Sequence, residues 1–120
     1  MPAPTPLDVI TRSLRPGAGL GSSFRGRFQQ GIRCSQMNPQ TRLVALTLAS
    51  LASDSGEIDR PSQPGLTGLV GATGLTAARV AVHLRMLEQR GWLEPMYGAK
   101  YENARFTLTL PAHVRARQRD

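Results

Sequence analysis

Arg79, His83 and Arg85 fall within the single stretch Thr76–Arg90, and their types and spacing suit contact with a polyanion. An arginine near the start of a helix can reach a base edge or a phosphate; one a turn and a half further on suits a phosphate. His83 between them reads either as a contact or as a surface or half-buried residue. Ala78 and Val82 share the outward face with Thr76, and small apolar groups there can touch a thymine methyl but make no bidentate hydrogen bonds. Lys100 and Arg105 follow on a second segment, and Arg25 and Arg27 add cations from the N-terminal side.

Catalysis finds little footing in the same residues. His83 and His113 have no Cys, Asp or Glu at metal-ligand spacing, so no metal and no cofactor is expected. Gly17, Gly19 and Gly21 neither follow a strand nor open a helix, as a phosphate-cradling loop would. Cys34 is the only cysteine and reads as a free structural thiol. A non-enzyme is the expectation.

The placement of charge sharpens this reading. Of the formal net +7 over 120 residues, residues 1–42 hold +5, residues 43–110 are neutral and residues 111–120 hold +2. A neutral centre with basic flanks fits phosphate contacts made by arms, or else tails that aid solubility. No apolar run approaches the roughly 20 residues of a membrane span. The start, MPAPTPLDVI, has neither a basic opening nor a long apolar core, so a cytoplasmic protein is expected, with no membrane partner.

These side chains need elements to hold them. Thr5-Pro6 opens a short helix over 6–14, with Leu7, Ile10 and Leu14 on one face, a candidate dimer element. Residues 17–36, rich in Gly, Ser and Arg, read as a mobile basic connector, with Phe24 and Phe28 pinning it to the core or stacking on bases. Asn38-Pro39 starts a helix to about Ser53, and its Leu43, Val44, Leu46, Leu48 and Leu51 predict deep packing. A turn at Ser53–Gly56 and a short extended piece at Glu57–Asp59 follow. Leu66–Ala72 is the next helix, Thr73-Gly74-Leu75 a tight turn, and Thr76 caps a helix ending at Arg90 before Gly91. Trp92 is expected in the core. Phe106 to Leu110 alternates in period two, which predicts a hairpin over 95–110. The organisation is thus a basic arm over 1–37, a domain over 38–110 and a basic tail over 111–120.

Two helices joined by a tight turn and followed by a hairpin resemble the winged helix-turn-helix superfamily. The likeness is to its small domain in bacterial regulators and phage or plasmid replication proteins. It is carried by TRLVALTLASLASDSGEIDRPSQ at 41–63 and LVGATGLTAARVAVHLRMLEQRGWLE at 69–94. The segment between Gln63 and Leu69 is about two residues longer than that pattern. The resemblance implies a mainly α fold with a small β-hairpin wing (α+β). It also implies a double-stranded DNA-binding protein, a transcriptional regulator reading the major groove with helix 76–90. The contacts expected are Thr76, Ala78, Arg79, Val82, His83 and Arg85 on that helix, Lys100 and Arg105 on the wing, and Arg25 and Arg27 on the arm. A homodimer would pair two such modules. The alternatives are a winged-helix protein-interaction module, which uses the apolar Ala78, Ala81 and Val82 face for a protein partner, and a replication or plasmid-maintenance protein.

Overall fold

Ser23 opens the first described helix: its side chain accepts the Gly26 N–H, and the helix runs from Phe24 to Arg33 (α1). The computed structural model describes residues 23–95 and 105–119. Next come Pro39–Leu51 (α2), a 3-10 turn at Arg60–Ser62, Gly65–Thr73 (α3), Ala77–Gln89 (α4) and Ala112–Arg119 (α5). Among the described residues the fold is all-α, with five helices and no strand longer than a single bridge.

The caps explain the boundaries. Asn38 accepts the Gln40 N–H ahead of Pro39, whose fixed φ suits a first helical position. Thr76 accepts the Arg79 N–H to open α4, and Gly74 ends α3 in the left-handed region at φ 77°. Both turn assignments agree with the sequence. Val80, Leu84 and Leu87 of α4 are fully buried against Val44 and Leu48 of α2 and Leu69 of α3. Trp92 also lies in this core, 3% exposed. Of the five residues expected to pack α2 deeply, Val44 and Leu48 are fully buried and Leu46 packs partly buried against the core, while Leu43 is 40% and Leu51 37% exposed.

Two expectations are overturned. The segment read as a mobile connector contains α1, whose Phe28 and Ile32 are fully buried. The wing is the larger correction. Phe106, Leu108 and Leu110 do alternate inward, all buried, yet only isolated bridges form, Glu57 with Thr107 and Leu93 with Leu108. Phe106 donates its N–H to Gln63 Oε1 at 2.9 Å, and Gln63 Nε2 donates to the Phe106 carbonyl at 3.2 Å. With Leu93 opposite Leu108, the Phe106 backbone groups face away from 92–95, so these amide bonds tie the segment to the 57–63 loop on its other edge. Pro95 and Pro111 limit the segments on either side, since neither has an N–H to give a ladder.

Residues 96–104, including Lys100, lie outside the described residues, as does the helix expected over 6–14. The winged helix-turn-helix assignment and its α+β class are therefore replaced by a small helical bundle. The DNA-reading functions attached to it, as regulator or replication protein, and the winged-helix interaction module have no structural footing here. The duplex DNA, homodimer and protein partners inferred with them lose their basis too. No single helix among the described residues is long and apolar enough to cross a membrane.

Candidate functional site

The residues singled out by sequence do not converge on one site. On α4, Thr76 is used as the helix cap and Ala78 is exposed. Val82, 59% exposed, and Arg85 line a shallow groove of about 400 Å³ with Met86. Arg105 is exposed beside the 57–63 loop. Arg25 is no free arm: it pairs with Asp54 at 3.2 Å and donates to the Ala52 carbonyl at 3.0 Å. Arg27 lies over the Phe24 ring, 5.9 Å from its centroid.

His83 turns inward. It is 8% exposed, with Nδ1 2.8 Å from Thr41 Oγ1 and Nε2 3.1 Å from Gln40 Oε1. An amide oxygen can only accept, so Nε2 carries the proton and Nδ1 accepts from the Thr41 hydroxyl. Arg79 Nη1 donates to the same Gln40 oxygen at 3.4 Å. Sequence placed Arg79 and His83 together as contacts; the structure joins them in a polar clasp between α2 and α4.

Burial, and next to it the Arg79 guanidinium, lowers the His83 pKa from its ordinary 6.5. The neutral imidazole is thus the form the fold favours. Its contribution to stability is complete above pH 6.5 and declines as pH falls below it towards the lowered folded value. Thermal unfolding followed between pH 7.5 and 5 is expected to show Tm falling in the acid half of that range. His83→Gln, which cannot be charged, should flatten that slope; an unchanged slope would remove His83 as its source.

A larger recess than the Val82 groove lies elsewhere, where the end of α1, the 34–37 turn, residues 90–92 and α5 meet. It is a cleft of about 610 Å³. Gly31 lets α1 pack closely here: a Cβ there would stand 2.9 Å from the Trp92 ring and 3.2 Å from Val114 Cγ1. Trp92 is held by Phe28, ring centroids 5.6 Å apart and planes at 88°, an edge-to-face pair. Trp92, Met37 and Val114 form the apolar wall, and Arg90, Arg117, His113 and the exposed thiol of Cys34 the polar one. Gln118 Nε2 donates to the Arg27 carbonyl at 3.0 Å and ties α5 to α1.

Sequence reasoning missed this site because its parts were assigned to a connector, a core tryptophan and a tail. The legible signal was Val114 among the charges of 112–119, one apolar residue that gives a short helix something to dock with. The chain matches no family model, and neither the curated proteins nor the solved structures contain a match to it.

Proposed function

We propose that this chain is a non-catalytic binding domain that takes a small organic molecule in the cleft between α1 and α5. The observation that carries the reading is the cleft itself. Its volume falls within the range of small-molecule sites, about 300–1,000 Å³, and it combines an aromatic and aliphatic wall with a few polar groups. The non-catalytic part is supported by the lining: Cys34 and His113 are both present, but no carboxylate is there to orient an imidazole as a base. A cytoplasmic location belongs to the same reading, because an exposed free thiol beside the site is kept reduced in that compartment.

Trp92 is the only tryptophan in the sequence, so its indole N–H gives a single reporter resonance at the cleft. Titration of the full chain with 1-naphthoate should move that resonance saturably, with a dissociation constant below about 1 mM. Resonances of the α4 groove around Val82 should stay in place. A Trp92 signal unmoved by 1-naphthoate and by its phosphate and amide analogues, or shifts spread evenly over the surface, would overturn the assignment.

A further inference from the structure

We infer that the cleft selects organic anions: molecules with a carboxylate or phosphate monoester head and a flat apolar body. This rests on the cleft being a binding site and goes on to its ligand class.

Three observations support it. The lining holds two arginines, Arg90 at the end of α4 and Arg117 on α5, and no acidic residue. Both arginines are exposed, and the cleft lining places no carboxylate beside either guanidinium. The end of α1 also borders the cleft, and the partial negative charge of a helix C-terminus would repel an anion. Here that end is capped. Cys34 N–H donates to the Gln30 carbonyl at 3.0 Å, and the Ile32 carbonyl receives both the Ser35 N–H, at 3.1 Å, and the Ser35 hydroxyl, at 2.6 Å.

The apolar half sets the rest of the ligand. Trp92 is fixed edge-on by Phe28, and Met37 and Val114 flank it, both buried. Such a wall favours a planar or extended hydrocarbon over a sugar or a peptide backbone. An oxyanion joined to that body can then accept hydrogen bonds from the two guanidiniums, and charge-assisted bonds of this kind are about twice as strong as neutral ones.

Three ligands of one shape separate the possibilities: 1-naphthoate, 1-naphthyl phosphate and the uncharged 1-naphthamide, each titrated into the full chain while the Trp92 indole resonance is followed. At least one of the anions is expected to bind about tenfold more tightly than the amide, with the gap narrowing in high salt. The stronger anion identifies the head group. Arg90→Gln with Arg117→Gln, both at exposed positions, should leave the fold intact and bring anions and amide to equal affinity. Equal affinities in the unaltered chain would overturn the anion assignment and leave the cleft as a binding site. A preference that survives the double substitution would overturn the role of the two arginines. If none of the three moves the resonance, the cleft reading and this one fall together.

Discussion

Phe28→Ala is expected to destabilise the protein by about 3–5 kcal/mol, the range for truncating a fully buried aromatic side chain. Phe28 has no exposed surface and is among the largest side chains so placed. Its loss removes the hydrophobic transfer energy of the ring, leaves a hole between α1 and the core, and deletes the edge-to-face contact that fixes Trp92. Small domains commonly have about 5–15 kcal/mol of stability in total, so this one change consumes a large share. Denaturant unfolding should show it as a lower midpoint at similar slope. Phe24→Ala, four residues earlier and only half-buried, should cost clearly less. Equal losses at both positions would mean that α1 is held as a surface helix and not through its buried side.

That residue also shows where the sequence was legible. α2, α3 and α4 could be read from caps, glycine stops and 3–4 spacing, because each signal is local and acts on the next few residues. Asn38, Gly74 and Thr76 do in the structure what their types suggest. α1 could not be read in this way. Its Gly26 and Gly31 and its three arginines look like a linker, and its helicity is imposed by packing of Phe28 and Ile32. Tertiary burial routinely overrides propensity of that kind.

The missing wing failed for the opposite reason. Alternation from Phe106 to Leu110 correctly marks an extended segment with one side in the core. Alternation cannot say how far backbone pairing extends, and among the described residues it covers only Trp92–Glu94 against Thr107–Thr109. The cleft was less legible still. It is made by contacts between segments of the chain that sequence treats as separate. His83 marks the boundary between the two cases. Its type left a contact and a surface or half-buried place both open, and Thr41 and Gln40, on another helix, draw it into a buried clasp.

Gly56→Ala should be the other large loss, about 2–5 kcal/mol, and it tests how α1 is fixed. Gly56 has φ 88°, a conformation that costs a residue with a Cβ roughly 1–2 kcal/mol. A Cβ there would also run into the Phe24 ring. Such overpacking adds about 1–3 kcal/mol, only partly offset by the more restricted unfolded chain that alanine gives. Phe24 cannot yield alone. Next to it the Arg25 N–H donates to the Asp54 carbonyl at 3.1 Å, and the Arg25 side chain holds Ala52 and Asp54, so the start of α1 is clamped to the same turn. Gly74 is the internal control, with φ 77° and nothing within 4 Å of a Cβ. Gly74→Ala should therefore show backbone strain alone, about 1–2 kcal/mol. The difference between the two variants measures the Phe24 contact. If it is large, displacing α1 at its start should also shift the Trp92 indole resonance at its far end, since Phe28 and Gly31 lie on the same helix. Two equal losses, with Trp92 undisturbed, would show that the 52–56 turn does not position the wall of the cleft.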